Sequence, residues 1–386
     1  MQVKIQYITN EDGFSGLKDK WNDLLVRSAS NNVFLTWEWV HTWWEAYREA
    51  KSLLLVTAEE DGKLAGIAPL YTTQARYFGI RQLRHVEFMC SVGPCSEYLD
   101  FIIERGREKD VVYAILDSLF SNRVLQWDVL NFTSINENSE NMVWYKKYAQ
   151  EKHYSHEIYG KRESPYIMLP ASIDEFYMKL SGNVRYRLKR YKKTLLNDCS
   201  VSFHLVTDPD ELESSFNSFV SLHQKRWKDK GETGNFNDNR KEYLQFHRRI
   251  ASLFLQNGWL YLVFLKINNK PAAAQYNFIY CNKMSYFQAG FDPEWLNYHV
   301  GSVLQSFVLE DIISKKISEF DFLRGTEEYK YRWTKTTRTS LNMALWRFGF
   351  ACKEIAAEKT IRKICRHLMP SNYAKTIYNR IFTRDR

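Results

Sequence analysis

Two segments of the chain repeat the same order of apolar runs and polar turn residues. Residues 54–68 read Leu-Leu-Val-Thr-Ala-Glu-Glu-Asp-Gly-Lys-Leu-Ala-Gly-Ile-Ala, and residues 261–275 align with them without a gap. Each segment predicts a β-hairpin, because Asp61-Gly62 and Asn268-Asn269 both accept the positive φ angles of a tight turn. The chain therefore contains an internal repeat.

The pattern after each hairpin is repeated as well. It predicts a strand, a helix and a strand at 98–103, 109–120 and 127–132 in the first half, and at 284–289, 301–314 and 320–323 in the second. Helices are also predicted near 14–25 and at 36–47, 173–180, 183–197, 208–228 and 239–256. A strand–helix–strand unit pairs its strands in parallel, whereas a hairpin is antiparallel. The predicted fold is therefore α/β, with mixed sheets flanked by helices in two tandem halves.

The junction between the halves is predicted within 160–172, where Gly160, Pro165 and Pro170 interrupt the pattern. This gives an N-terminal domain at 1–164, a C-terminal domain at 165–352 and a basic helical tail at 353–386.

Composition narrows the class of protein. The 386 residues are 45% hydrophobic, which is ample for packed cores. No apolar run approaches the roughly 18–20 residues that span a bilayer, and the N-terminus lacks the pattern of a secretion signal. We therefore expect a cytoplasmic protein. The six cysteines form no C-x-x-C pair, so we expect no metal site.

The net charge of +9 favours anionic partners: CoA phosphates, anionic glycolipids, a membrane surface or nucleic acid. Residues 185–193 contain six basic residues and no acid, and the tail after Ala351 carries nine Lys or Arg against three acids. The tail also places apolar residues near one face, which permits peripheral membrane contact. Docking of the tail against the second domain fits the same pattern.

The turn at 290–302 is the first candidate site. It joins a strand to a helix N-terminus at Gly301-Ser302, where free N–H groups and the helix dipole favour phosphate. Gly290 and His299 belong to the same turn. We predict that it binds the diphosphate of CoA, although an ordinary Ser N-cap after a long loop gives the same pattern.

The second candidate lies at 320–333, where an apolar strand ends in Arg324-Gly325. Ligand sites in open sheets lie where strands end. Arg324 and Lys330 can neutralise an anion or an oxyanion, and Tyr329 can protonate a leaving thiolate. Asp321 or Glu328 can accept the proton of an attacking amine. A charged turn packed with Tyr and Trp would read the same way.

The polar loop 223–236 is the third candidate and is predicted to cover an acceptor through His223, Arg226 and Trp227. Arg187, within the basic run 185–193, is predicted to contact an anionic acceptor or lipid. Both segments are also compatible with solvated surface.

These segments together resemble a known family. The chain is similar to the GNAT-type acetyltransferases linked to cellulose and exopolysaccharide biosynthesis, which are related to Fem-type aminoacyl ligases. The matching stretches are Phe34–Trp39, Arg185–Arg190, His223–Trp227 followed by Gly231, Gln288–Pro293, and Phe320–Gly325 with Tyr329, Lys330 and Trp333.

The resemblance implies two tandem GNAT-like domains, with acetyl-CoA as co-substrate in the second and a non-catalytic first. It implies an acceptor among surface sugars or their precursors, and it matches Lys330 to a lysine that assists transfer in Fem proteins. The usual GNAT phosphate loop, Q/R-x-x-G-x-G/A, is not cleanly present, so an aminoacyl-tRNA donor stays open.

The leading hypothesis is therefore acyl transfer, of acetyl in particular, from CoA to the amine of an amino sugar or polysaccharide precursor. On this hypothesis Lys330→Ala lowers turnover and leaves the fold intact. The first alternative is a Fem-like ligase that uses aminoacyl-tRNA, the only nucleic acid we expect as a partner. The second is a non-catalytic membrane-surface partner of a polysaccharide synthase.

Overall fold

The computed structural model describes residues 3–77, 81–94 and 96–347 of the chain, so the predicted tail at 353–386 lies outside the described residues. The strands are β1 (Lys4–Ile8), β2 (Ser52–Glu60), β3 (Lys63–Tyr77), β4 (Arg81–Phe88), β5 (Ile102–Ile103), β6 (Val129–Asn136), β7 (His156–Met168), β8 (Val201–Leu205), β9 (Leu260–Ile267), β10 (Lys270–Tyr280), β11 (Lys283–Phe291), β12 (Glu319–Asp321) and β13 (Thr337–Trp346). The α-helices are α1 (Glu11–Ser15), α2 (Lys18–Arg27), α3 (Trp37–Tyr47), α4 (Glu108–Ser121), α5 (Glu140–Glu151), α6 (Ile173–Lys179), α7 (Gly182–Asp198), α8 (Pro209–Asp229), α9 (Lys241–Gln256) and α10 (Val300–Ser314). Three 3-10 turns lie at Val33–Leu35, Pro293–Tyr298 and Lys330–Arg332.

The described residues form two compact units. Unit 1 comprises 3–44, 48–161 and 340–347, and unit 2 comprises 45–47 and 162–339. The chain leaves unit 1 within β7 and returns to it within β13. The predicted domains 1–164 and 165–352 assign β13 to the second half, whereas β13 pairs with β6 of unit 1 from Ser340 to Trp346.

The sheet of unit 1 runs in the order β1-β2-β3-β4-β6-β13. Its one parallel pair among the described strands joins β4 to β6, with His85 opposite Val129. Helices α4 and α5 pack together beside this sheet, and α4 lies against β2. Unit 1 is therefore a mixed sheet flanked by helices, as predicted.

The strand predicted at 98–103 needs correction, because only Ile102–Ile103 is a strand and it pairs with β3. The backbone before it bonds elsewhere: Tyr98 has a φ of 56°, and Leu99 N–H donates to Ser134 O over 3.1 Å. Buried Asp100 accepts a hydrogen bond from the Tyr145 hydroxyl over 2.7 Å. The parallel partner of β6 is instead β4, which the apolar pattern did not predict.

Both predicted hairpins are confirmed. Asp61 and Gly62 take φ angles of 49° and 77° between β2 and β3, and Asn268 and Asn269 take 50° and 62° between β9 and β10. A third tight turn, at Cys281-Asn282, joins β10 to β11. Positive φ at both central residues twists the turn to match the flanking strands.

The sheet of unit 2 runs in the order β7-β12-β11-β10-β9-β8. One face packs on α6, α7 and α10 through an apolar cluster that includes Leu188, Val263 and Leu304. Alternate strand residues face α8 and α9, as the ring contact between Phe219 and Tyr276 at 5.4 Å illustrates. The two-residue period of the strands therefore gives each sheet face its own helical layer.

The strands β11 and β12 diverge. They pair in parallel only from Lys283–Glu319 to Ser285–Asp321, after which β11 continues to Phe291. The chain after β12 stays with β7, since Phe322 N–H donates to Pro165 O and Gly325 N–H to Glu163 O. A gap therefore opens beside the second half of β11. It lies between the two strands, predicted at 284–289 and 320–323, that the sequence pairs in parallel.

The predicted junction at 160–172 is largely strand rather than loop, because β7 runs from His156 to Met168. Gly160, with a φ of 68°, is accommodated within it, and Tyr166 N–H pairs with Thr336 O over 3.0 Å. None of the helices within the described ranges combines the length and apolar character needed to cross a bilayer.

Candidate active site

A cavity of about 460 Å³ lies within unit 2, at the gap beside β11. Helix α7 forms one wall, the first turns of α10 form another, and β10, β11 and the segment after β12 complete it. The lining residues are Asn183, Val184, Arg187, Leu188, Tyr191, Arg226, Lys230, Ala273, Ala274, Gln275, Tyr286, Ala289, Gly290, Phe291, Gly301, Ser302, Leu304, Gln305, Tyr329, Arg332 and Trp333.

The helix α10 begins at the cavity. His299 adopts the left-handed conformation, with φ 52° and ψ 38°, and turns the chain from the 3-10 segment into the helix. Its carbonyl accepts hydrogen bonds from Ser302 N–H over 2.9 Å and Val303 N–H over 3.1 Å. Gly301 and Ser302 thus line the cavity from a helix N-terminus, which favours negative charge.

The charged side chains that line the cavity are all cationic. Four cationic side chains line the cavity, namely Arg187, Arg226, Lys230 and Arg332, and no Asp or Glu within the described residues lines it. The remaining wall is largely apolar or aromatic, with Leu188, Phe291, Leu304 and Trp333 among its members. The cavity therefore suits a ligand that has an anionic part and an apolar part.

Three arginines gather around His299. Burial and the charges of Arg190, Arg332 and Arg187 lower the pKa of His299 below its ordinary value. Its imidazole stacks on Tyr191 with the ring centroids 3.8 Å apart. His299 does not line the cavity, but it fixes the bend at which these cations meet the start of α10.

Arg226 reaches the cavity from the last turn of α8. Its Nη1 donates to Ala289 O over 3.1 Å, and its guanidinium lies 5.4 Å from the ring centroid of Phe291. The next residue toward the N-terminus, Lys225, pairs with Asp292 over 2.5 Å. These contacts hold the end of α8 against the end of β11 and hold a positive charge at the wall.

Tyr329 and Tyr286 face the same part of the cavity. Their ring centroids are 6.5 Å apart. Burial raises the pKa of Tyr329 well above its ordinary value, and the neighbouring Tyr286 raises it further. Tyr329 therefore keeps its proton at neutral pH and can donate it.

Lys330 does not line the cavity. It is 3% exposed, and its Nζ donates to Leu323 O over 3.3 Å and to Arg324 O over 2.8 Å. It also pairs with Glu327 over 3.0 Å. Lys330 closes the turn after β12, so removing it is expected to disturb the fold, contrary to the intact fold predicted for Lys330→Ala.

The other predicted residues of this segment also lie off the cavity wall. Asp321 is buried, accepts Leu323 N–H over 2.7 Å and lies 3.4 Å from Arg338. Glu328 is exposed. The carbonyl of Arg324 accepts the hydrogen bond from Lys330 Nζ. The structure therefore does not bring either carboxylate to the cavity wall.

His223 and the half-buried Trp227 bond to each other and do not line the cavity. Trp227 Nε1 donates to His223 Nε2 over 3.0 Å, and His223 is fully buried. Burial and the charge of Arg226 lower the pKa of His223 to about 4, so the imidazole is neutral at pH 7.

Gly290 lines the cavity but also lies under helix α8. A Cβ added there would approach His223 N to 2.3 Å and Leu222 C to 2.5 Å. A side chain at this position would therefore collide with main-chain atoms. Gly301, by contrast, has room for a Cβ, which would meet only Phe291 Cδ1 at 3.8 Å.

A row of buried amides, which the sequence did not predict, lies on β10 and α10. Gln275 Nε2 donates to Gln305 Oε1 over 3.2 Å, and Asn277 Nδ2 donates to Gln275 Oε1 over 3.0 Å. The signal was present, because a glutamine interrupts the small and apolar residues of β10 and another interrupts those of α10. Arg332, Lys230 and Tyr286 were missed as well.

The structure brings part of the predicted site together. The predicted residues that line the cavity are Arg187, Arg226, Gly290, Gly301, Ser302 and Tyr329, whereas His223, Trp227, His299, Asp321, Arg324, Glu328 and Lys330 lie outside its wall. The described residues hold no group of three His, Cys, Asp or Glu side chains placed to bind a metal ion.

Comparison with known proteins is consistent with this geometry. Residues 182–331, which contain all of the cavity wall except Arg332 and Trp333, match the family described as acetyltransferase (GNAT) domain. A comparison with curated protein sequences gave no match.

Solved structures share the fold at low identity. FemX superposes with a TM-score of 0.59 at 9% identity, over 88% of this chain and 96% of FemX. The C-terminal domain of a putative lysylphosphatidylglycerol synthetase from Agrobacterium fabrum gives 0.53 at 9%, over 90% and 96%. L-PGS from Bacillus licheniformis gives 0.51 at 11%, over 88% and 96%. The predicted fold class, α/β with two tandem GNAT-like units of mixed sheet and flanking helices, is thereby confirmed.

Proposed function

We propose that the protein is an acyl-CoA-dependent N-acyltransferase that transfers an acetyl group to the amine of an amino sugar or polysaccharide precursor. The observation that carries the proposal is the cavity of unit 2, which begins at the N-terminus of α10 and is lined by four cations and no acid among the described residues. CoA combines phosphate groups with a long and largely uncharged arm, which matches both parts of this wall.

The diphosphate is assigned to the start of α10. Gly301 and Ser302 offer the helix N-terminus, and Arg187 and Arg332 supply charge beside it. Charge-assisted hydrogen bonds from arginine suit phosphate oxygens in particular. The arm then follows β11, where the departure of β12 leaves the strand edge unpaired after Ser285.

Tyr329 is assigned as the general acid. The acceptor nitrogen attacks the thioester carbonyl, the bond between that carbon and sulfur breaks, and Tyr329 gives its proton to the departing sulfur. Burial raises the pKa of Tyr329, so its hydroxyl is protonated at neutral pH, and the tyrosinate left after the transfer regains a proton from water. Since no carboxylate in the described residues lines the cavity, the proton of the amine passes to water. Lys330 is assigned a positioning role, because it holds the turn from which Tyr329 projects.

The test is binding and transfer by the intact chain. Acetyl-CoA should raise the midpoint of thermal unfolding, and purified protein should release free CoA when glucosamine-type acceptors are supplied. Arg332→Ala should weaken CoA binding about tenfold, the effect of losing one charge-assisted hydrogen bond. Glu328→Ala is the matched control, because that side chain is exposed and off the wall. A protein that neither binds CoA nor transfers acetyl to any amine would refute the proposal.

A role in surface polysaccharide synthesis, a cytoplasmic location and a non-catalytic first unit belong to the same proposal. They rest on the sequence resemblance and on the position of the cavity within unit 2. The acceptor class is tested by the transfer assay with amino sugars against amino acids as acceptors.

A Fem-like ligase is the second candidate, and one observation favours it. The outer face of α7 carries exposed Arg185, Lys189, Arg190 and Lys193 beside the cavity that Arg187 lines, so phosphates of a tRNA would find cations outside the cavity as well. Thermal stabilisation by aminoacyl-tRNA without stabilisation by CoA would favour this candidate over the first.

A further inference from the structure

The amide row on the cavity wall has an unused donor. Gln305 is 4% exposed, and its Nε2 is closed off from solvent without a hydrogen-bond partner. Gln275, which is 2% exposed, holds the other end of that amide through Gln305 Oε1. Both side chains line the cavity. A buried donor that lacks a partner is costly, and so its presence at a ligand cavity needs an explanation.

The hydrogen bonds that link the three amides of the row all run in the same direction. Asn277 donates to Gln275, and Gln275 donates to Gln305, so Gln275 Oε1 and Gln305 Oε1 each accept a bond within the row, whereas Asn277 Oδ1 at its far end has no partner. The free groups at the Gln305 end are therefore N–H donors, and the partner they lack is a hydrogen-bond acceptor. The terminal torsion of glutamine is broad, which lets the amide turn toward a ligand atom at little cost.

The position of Gln305 defines the depth at which the acceptor atom would lie. Gln305 follows Gly301 by four residues in α10, so both side chains lie on one helix face, about 6 Å apart along the axis. In CoA, the first amide carbonyl of the arm follows the diphosphate by a comparable span. A diphosphate at the start of α10 therefore brings that carbonyl level with Gln305.

We propose that Gln305, held by Gln275, is a specificity-determining residue that donates a hydrogen bond to the arm carbonyl nearest the diphosphate. The subsite selects donors whose arm carries an amide carbonyl a few bonds after the phosphates, and it discriminates against plain alkyl thioesters and bare nucleotides. This inference rests on the proposed use of CoA. Asn277 and Gln275 act through Gln305 and are positioning residues.

The experiment measures affinity, and it uses the full chain with two ligands. CoA carries the arm, whereas adenosine 3′-phosphate 5′-diphosphate has the same phosphates and no arm. Gln305→Met keeps the size of the side chain and removes the donor. We expect it to weaken CoA binding about tenfold, as for one lost buried hydrogen bond, and to leave the affinity for the nucleotide unchanged. Gln256→Met, at the exposed end of α9, is the matched control and should change neither affinity.

A second measurement needs no substitution. Wild-type protein should bind a CoA analogue with a simple alkyl thiol arm about tenfold more weakly than CoA. Equal affinity for the two, or equal weakening of CoA and nucleotide by Gln305→Met, would overturn the inference while leaving CoA use intact. A wild-type chain that binds neither CoA nor the nucleotide would instead remove the proposed function, and the inference with it.

Discussion

A methyl group added at Gly290 gives the sharpest test of how unit 2 is built. In Gly290→Ala, the new Cβ would lie 2.3 Å from His223 N, 2.5 Å from Leu222 C and 2.7 Å from His223 Cα. Ordinary contacts of a Cβ begin at 3.4 Å, so α8 and β11 would have to separate by about 1 Å. These atoms are main chain, and no side-chain rotation relieves them.

The magnitude follows from the packing of α8. Overpacking a core by one methylene costs about 1–3 kcal/mol when side chains adjust. Here a helix with Phe216, Phe219 and Leu222 buried must shift as a body, so we expect a loss at the upper end, about 3 kcal/mol. Gly301→Ala adds the same methyl inside α10, meets only Phe291 Cδ1 at 3.8 Å, and should gain up to about 1 kcal/mol from helix propensity.

The assay is urea unfolding of wild type and both variants, with CoA affinity measured on the folded protein. The free energies of unfolding of the two alanine variants should therefore differ by about 4 kcal/mol. Gly290→Ala with unchanged stability and reduced CoA affinity would refute it, and would show that Gly290 serves phosphate approach, as the sequence suggested.

Three further predictions concern the titratable groups. Tyr329→Phe should lower turnover about 10²–10³-fold and leave urea unfolding unchanged, as expected for a general acid. Equal turnover of variant and wild type would exclude that role. Because burial raises the pKa of Tyr329, wild-type activity should show no alkaline loss from its ionisation up to pH 10. Lys330→Met should lower the free energy of unfolding by about 2–3 kcal/mol, because the carbonyls of Leu323 and Arg324 lose their hydrogen-bond donor. An unchanged free energy of unfolding would contradict the role of Lys330 in stabilising this turn. His223 is protonated near pH 6.5 when unfolded but only near pH 4 when folded, so stability should be complete above about pH 6.5 and fall by about 3 kcal/mol toward pH 4. In His223→Gln, which keeps a hydrogen-bond acceptor for Trp227 and does not titrate, urea unfolding should lose most of this pH dependence, and an undiminished dependence would assign it to other groups.

The repeat was predictable because its signals are local. Asp61-Gly62 and Asn268-Asn269 prescribe their turns through backbone conformation alone, and the apolar positions of α10 recur at helical spacing. Strand β4 was missed because Arg84, His85 and Glu87 interrupt its apolar residues. Val86 and Phe88 keep the two-residue period of a strand, but Leu83 lies three positions before Val86 and breaks it.

The site was predictable in place more than in detail. A strand end and a helix start mark the cavity, and Arg187, Arg226 and Tyr329 were found from them. The direction of Lys330 was not predictable, since it depends on the left-handed turn at Leu323, whose φ of 55° is unusual for leucine. Gln305 was missed because a neutral amide in an apolar helix carries no charge signal.

The return of the chain through β13 has a consequence for biosynthesis. Unit 2 is inserted in the sequence of unit 1. The segments by which the chain enters and leaves unit 2 lie side by side, since Tyr166 N–H donates to Thr336 O. A ribosome therefore delivers all of the nested unit before Ser340–Trp346 emerges to cover the edge of β6. Until then that edge is an open template for other chains, which makes rapid folding of the nested unit a safeguard against aggregation of its host.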